Sequence, residues 1–327
     1  MNKTMLAILE VLANHSKIVG SREIARELNS KGIDIAERTV RYYLKILDER
    51  GYTEVFGKEG RKITEEGQIE LNRAMVSERV GFVISKIDTL SFLTTFDIEN
   101  MDGNVILNIS YVPENRLKEV VRILKQIFPS PYVVSDRIAI ARGGEKIGEI
   151  AVPEKKVAIG TICSVTINGI FLKAGIPVTS RFGGVVEISN KKPKRFISII
   201  NYDGTSLDPH EIFIKSGMTD VIGATKGIYG EILASFREIP IVSLEKAKEL
   251  AEKLEQKGIK GILEIGEPNS PLLEVSVGID KVGMVIVGGL NPVAALEEVG
   301  IPTENKAMSI LYRFSELLPY EEAFENV

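Results

Sequence analysis

Two stretches of this chain repeat one another at a fixed distance, and that limits the fold more than any other feature. Lys156 and Lys281, Val157 and Val282, Gly175 and Gly300, Ile176 and Ile301, and Pro177 and Pro302 match at one offset of 125 residues without a gap. Upstream, Pro113 matches Pro240 and Leu117 matches Leu244 at an offset of 127, so one loop is two residues shorter in the second copy. The repeats span about 103–177 and 230–302. Each reads as an apolar strand (105–112; 232–239), a Lys/Glu-rich helix (114–128; 243–257), two strands, a further apolar strand and a closing helix. Gly175 and Gly300 stand where a glycine ends that helix. The fold class expected is α/β, a duplicated body of two similar mixed-sheet halves related by an approximate two-fold. Ligand space is expected where the halves meet.

Ahead of the repeats the pattern changes period. Leu6, Ile8, Leu9 and Leu12 form a helical stripe, and Ser21 is expected to cap a second helix carrying Ile24, Ala25 and Leu28. A third helix is expected from about Asp34, with Asp34 and Glu37 at the spacing of a capping box, and Gly51 stops it. Its buried face holds Val40, Leu44 and Leu47, and the opposite face shows Glu37, Arg38, Thr39, Arg41, Tyr42 and Lys45. Tyr42 and Tyr43 are adjacent, so at least one is expected in solvent. A short hairpin follows, turning at Gly57–Gly60 and carrying Lys58, Arg61 and Lys62 toward phosphates. Three helices followed by a basic hairpin read as an N-terminal winged helix-turn-helix over 1–75. Its third helix suits the major groove of double-stranded DNA. An RNA-binding or protein-docking use of the same module stays open. Residues 76–96 read as a helical connector, a place for dimer contacts, and 97–327 as the duplicated sensing domain.

Charge supports this division. The chain carries −4 overall, but residues 1–64 hold 12 Lys/Arg against 9 Asp/Glu, so a mildly basic head sits on an acidic body. The single cysteine, Cys163, leaves no intrachain disulfide and no multi-cysteine metal site, and the two histidines lie far apart. Apolar runs such as 282–287 are far short of the ~20 residues that span a bilayer, and the N-terminus does not read as a signal peptide. A cytoplasmic protein with no membrane partner, no metal and no cofactor is expected.

In the body, two equivalent loops precede the closing helices: 163–169, with Cys163, Ser164 and Thr166, and 288–292, with Gly289 and Asn291. Backbone amides at such helix starts suit a carboxylate or phosphate, although the same glycines serve simply to turn strand into helix. Ser180 with Arg181 offers a hydroxyl and a guanidinium, and Ser216, Thr219 and Arg237 are further candidates. Cys163 with His210 is conceivable as a catalytic pair, but a small buried residue is the better reading. No paired carboxylates or triad stand out, so no enzyme is expected.

Longer runs carry a family resemblance. They include 37–45 (Glu-Arg-Thr-Val-Arg-Tyr-Tyr-Leu-Lys) and 48–51, then 160–169 (Gly-Thr-Ile-Cys-Ser-Val-Thr-Ile-Asn-Gly), 174–177 and 180–184. Further on come 204–209, 212–219, 234–240 (Ala-Ser-Phe-Arg-Glu-Ile-Pro) and 288–292 (Gly-Gly-Leu-Asn-Pro). With these the chain resembles, over essentially its whole length, the archaeal NrpR family of repressors of nitrogen-assimilation genes. The resemblance implies a homodimer on palindromic operators, released by the effector 2-oxoglutarate. Some members carry two sensor domains where this chain has one duplicated body. That leaves open sensing alone as a dimer, acting with a second NrpR-type protein or a PII-type regulator, or modulating another repressor. A small-molecule enzyme with a docking winged helix is the remaining alternative.

Overall fold

The computed structural model describes residues 3–15, 17–74 and 81–325. They form two compact units, divided between residues 80 and 81.

In the first unit, α1 (Lys3–Ala13), α2 (Ser21–Ser30) and α3 (Glu37–Glu49) precede a hairpin of β1 (Thr53–Phe56) and β2 (Gly60–Ile63), and α4 (Glu65–Ala74) closes it. The helical stripes meet in one core containing Ile8, Leu9, Leu12, Ile24, Leu28, Val40, Leu44, Leu47 and Leu71. Val19 joins the hairpin as a short third strand, bridging Arg61. This is a winged helix. The expected caps differ. The residues before α2 and α3 are Gly20 and Ala36, neither capping with a side chain. Asn29 closes the turn between α2 and α3. Its Nδ2 donates to the carbonyls of Ala25 (2.7 Å) and Ile35 (2.9 Å), and its Oδ1 accepts from the Ile35 amide (3.2 Å). With that turn fixed, α3 starts beyond Asp34, and both Ser21 and Glu37 are free for side-chain contacts. The expected helical continuation from Val76 lies outside the described residues as far as 80.

The second unit begins with α5 (Phe82–Leu93), which belongs to the body rather than to a separate connector. The first repeat runs β3 (Asn104–Pro113), α6 (Leu117–Ile127), β4 (Arg137–Arg142), a small hairpin of β5 (Lys146–Ile147) and β6 (Ile150–Ala151), β7 (Lys156–Ile162) and α7 (Val165–Lys173). Between the repeats lie β8 (Thr179–Ser189), β9 (Lys192–Asn201), α8 (Pro209–Lys215) and α9 (Val221–Lys226). The second repeat runs β10 (Tyr229–Pro240), α10 (Leu244–Gln256), β11 (Ile262–Ile265), β12 (Lys281–Val287) and α11 (Asn291–Glu298). Then come β13 (Glu304–Arg313), β14 (Leu318–Pro319) and α12 (Tyr320–Glu325). Gly175 and Gly300 end the closing helices at φ 79° and 74°.

Two five-stranded sheets result, ordered β13-β3-β7-β4-β14 and β11-β12-β10-β8-β9. Both are antiparallel throughout rather than mixed. The helical crossover from β3 to β4 does make those strands parallel, but β7 lies between them and pairs antiparallel to both. The same holds for β10, β12 and β11. Each half is thus a β-α-β-β-α-β unit in the spatial order 4-1-3-2, with its fourth strand exchanged. β8 follows the first repeat yet pairs with β10, and β13 follows the second yet pairs with β3. Phe182 on β8 stacks on its register partner Phe236 on β10 at 5.3 Å, with Phe196 edge-on to Phe182 at 5.0 Å. Such pairs contribute roughly 0.5–1.5 kcal/mol beyond area burial, so the exchanged strand is packed as core.

Candidate functional site

Helical periodicity brings the basic residues of α3 to one side. Arg38, Thr39, Arg41, Tyr42 and Lys45 are exposed, while Val40, Leu44 and Leu47 are buried. Tyr42 is 63% exposed and meets the partly buried Tyr43 edge-on at 5.4 Å. Glu37 is half-buried at the helix start and orients Arg41. Arg41 Nη2 lies 2.6 Å from Glu37 Oε1, Arg41 Nε donates to Ser21 Oγ (3.2 Å), and Ser21 Oγ donates back to Glu37 (3.1 Å). Arg41 first and Ser21 second hold the Glu37 carboxyl below its usual range.

The wing divides its cations. Lys58 is exposed at the tip and Lys62 half-exposed, whereas Arg61 is ion-paired within the unit. Its Nε donates to both oxygens of Asp48 (3.0 Å each), Nη2 lies 2.9 Å from Oδ2, and the Thr53 hydroxyl also reaches Asp48 (2.6 Å). Arg61 therefore fastens the wing to the end of α3. A cleft of about 570 Å³ opens between the starts of α2 and α3 and the wing, bordered by Arg22, Arg41 and Lys58. Arg22, 89% exposed on its side chain, was missed in the sequence; its place at the start of a helix beside the wing is tertiary.

In the body, the two repeat loops meet. The Cys163 amide donates to Ile106 O (2.8 Å), and the Gly288 amide donates to Leu233 O (2.7 Å). Thr166 Oγ1 accepts from the Ile106 amide (3.0 Å), as Asn291 Oδ1 does from the Leu233 amide (2.8 Å). These four bonds obey the offsets read from the sequence. Gly289 lies so close that an added Cβ would sit 2.4 Å from Ile162 O and 2.7 Å from Asn108 Nδ2; only glycine fits. Thr161 Oγ1 on β7 donates to Gly289 O (2.8 Å), tying the first repeat to the second repeat's loop.

A cavity of about 20 Å³ lies at this junction, bordered by Asn108, Cys163, Ser164, Tyr202, His210 and Gly289 among others. That is room for about one water. The starts of both α7 and α11 border it, through Ser164 and Val165 and through Leu290, beside apolar Ile87, Ala307 and Met308. Asp208 also borders it, but its carboxylate caps α8 by accepting from the amides of His210 and Glu211. Burial pushes the Cys163 thiol up to about 11, which fits a small buried residue rather than a nucleophile. His210 points to Ala234 O (3.1 Å).

Of the candidate effector residues, Cys163, Ser164 and Gly289 border this cavity, and Thr166 and Asn291 are buried behind it as backbone braces. Arg237 is buried beside Ser164, and Ser180 is reached through Asn168, whose Nδ2 donates to Ser180 Oγ (3.0 Å). Ser180 and Arg181 both border a separate, open cleft of about 450 Å³ with Asp88 and Asp203, and the Arg181 guanidinium is 2.6 Å from Glu238. Ser216 ends α8 in solvent, and Thr219 stands beside Glu298 at the start of α9. Neither borders the cavity. Asn108, Asn168 and Tyr202 were missed. Asn108 and Asn168 are polar positions in otherwise apolar segments, which is a usable signal.

A winged helix with an exposed basic third helix, joined to a duplicated α/β body with a polar junction between its repeats, defines a winged-helix regulator. Residues 6–71 match the ribonuclease R winged-helix domain, and residues 80–318 match the NrpR regulatory domains NRD1 and 2. The chain belongs to the NrpR family. It is 40% identical to the global nitrogen regulator NrpRI of Methanosarcina mazei, covering 95% of this chain and 96% of that protein. To the global nitrogen regulator NrpR of Methanococcus maripaludis it is 33% identical over 95% of its length, spanning 54% of that longer protein. The crystal structure of a nitrogen repressor-like protein from Methanococcus jannaschii shares 38% identity and a TM-score of 0.62. The match covers 73% of this chain and 98% of that one.

Proposed function

We propose that this chain is a cytoplasmic repressor of nitrogen-assimilation genes, which binds palindromic operator DNA as a homodimer and is released by 2-oxoglutarate. The observation that carries it is the exposed face of α3, with Arg38, Thr39, Arg41, Tyr42 and Lys45 on a winged helix, in a chain whose relatives are named global nitrogen regulators. Arg and Lys on that face suit guanine edges, and Lys58 and Arg22 suit flanking phosphates.

The effector enters the cavity between the repeat loops. A dicarboxylate gains there from two helix starts and from the Ser164 and Tyr202 hydroxyls. It is far larger than the 20 Å³ present, so its binding parts the loops. In a dimer that motion alters the spacing of two recognition helices, which must fit half-sites about 34 Å apart.

Calorimetric titration of the full chain tests this reading. It predicts saturable binding of 2-oxoglutarate, with glutamate and glutamine at least about tenfold weaker. No heat at any temperature tested, together with no thermal shift, contradicts the sensing half of the proposal.

A further inference from the structure

One side chain ties the second repeat to the first. Arg237 on β10 is 1% exposed. Its Nη1 donates to Ser164 O (3.0 Å) and to Asn168 Oδ1, and its Nη2 to Ser164 Oγ (3.0 Å) and Ser235 Oγ (3.2 Å). Three of these four acceptors belong to the first turns of α7 and the residue before it. Among the described residues Arg237 Nε has no partner, and none of their carboxylates pairs with the guanidinium. Burial pushes its pKa down to about 10.

An isolated buried cation is costly, and its hydrogen bonds offset only part of that. The fold itself does not require the charge. At the equivalent position of the first repeat, 127 residues earlier, stands Ser110, and Asn168 is matched by Val293. The charge is, however, connected to the cavity. Ser164 borders the cavity and takes two of Arg237's bonds, and the Tyr202 hydroxyl, also on the cavity, reaches Ser235.

We infer that Arg237 is the anion receptor of this cavity and the latch between the repeats: a carboxylate entering between the loops takes the guanidinium and frees α7 from β10. This rests on the cavity being the effector site. A ligand carboxylate supplies the counter-charge that the protein lacks, and the bidentate geometry of arginine suits it. The bonds to Ser164 and Asn168 are what the ligand displaces, and α7 packs directly on α5, the element with which the body begins.

Asn168→Asp tests the latch without removing bulk. It gives Arg237 a permanent carboxylate, so the receptor is already occupied. Arg237→Gln, which keeps donors but no charge, is measured in parallel, with circular dichroism melting to verify folding. For both, calorimetry with 2-oxoglutarate, succinate, glutamate and phosphate is expected to show 2-oxoglutarate affinity lower by about thirty- to a hundredfold. Asn168→Asp is further expected to melt no lower than the unaltered chain and to stay on operator at 2-oxoglutarate concentrations that release it. A folded variant of either kind that binds 2-oxoglutarate within about threefold of the unaltered chain overturns the latch and leaves the effector reading intact. If the unaltered chain binds succinate instead, and Asn168→Asp abolishes that, the latch stands and the choice of effector falls. Binding of none of the four anions overturns both.

Discussion

Replacing Arg41 with alanine is expected to weaken operator binding by about 1–3 kcal/mol, on the order of ten- to a hundredfold, while 2-oxoglutarate binding is unchanged. Arg41 stands two-thirds exposed on the outer face of α3 and is held in one orientation by Glu37 and Ser21. Its rotamer entropy is thus partly lost before DNA arrives, which favours a bidentate base contact over a wandering phosphate contact. The loss should concentrate at particular base pairs of the operator; a uniform loss across sequences would assign Arg41 to phosphate. Arg61→Ala is a useful contrast. It unfastens the wing from Asp48 and acts through the hairpin rather than through a base. Fluorescence anisotropy with operator and scrambled duplexes separates these outcomes, and loss of effector binding in Arg41→Ala would contradict the division of labour.

Asn291→Ala is expected to destabilise the body by on the order of 3–5 kcal/mol. The side chain is fully buried, accepts from the Leu233 amide (2.8 Å) and donates to the carbonyls of Tyr132 (3.0 Å) and Leu233 (3.1 Å). Alanine removes the partner of the Leu233 amide and of the Tyr132 carbonyl and leaves a void, while the Leu233 carbonyl keeps its bond from the Gly288 amide (2.7 Å). Thr166 is its counterpart in the first repeat but braces only Ile106, so Thr166→Val is expected to cost about 1–2 kcal/mol. Urea denaturation gives both numbers. Equal costs, or less than about 1 kcal/mol for Asn291→Ala, would show that the loop is held by something else.

The duplication was legible because backbone turns need particular residues at particular places, so Gly175/Gly300 and Pro177/Pro302 persist at one offset. The exchange of β8 and β13 was not. Both strands follow their repeat in the expected order, and which sheet they enter depends on pairings made far away in the chain. The antiparallel order was hidden for the same reason, since a strand–helix–strand pattern does not say what lies between the two strands. Around α3 the exposed face was readable from period alone, but Arg61 was not, because Asp48 meets it only after the wing folds back. Ser216 and Thr219 looked like ligand groups in sequence, but Ser216 stands at the end of α8 and Thr219 beside Glu298, away from the cavity. Asn168 fell in a stretch read as the loop before the closing helix, and it proves to lie within α7 and to hold Arg237.

The central claim is that one equilibrium links DNA and effector, and the most direct test is reciprocity. Operator affinity is measured with and without saturating 2-oxoglutarate, and 2-oxoglutarate affinity with and without saturating operator, at one salt concentration. Linkage requires the two ratios to be equal, with a coupling of about 1–3 kcal/mol. Equal and opposing ratios would establish release by the effector, whereas unchanged 2-oxoglutarate affinity on saturating operator would contradict it.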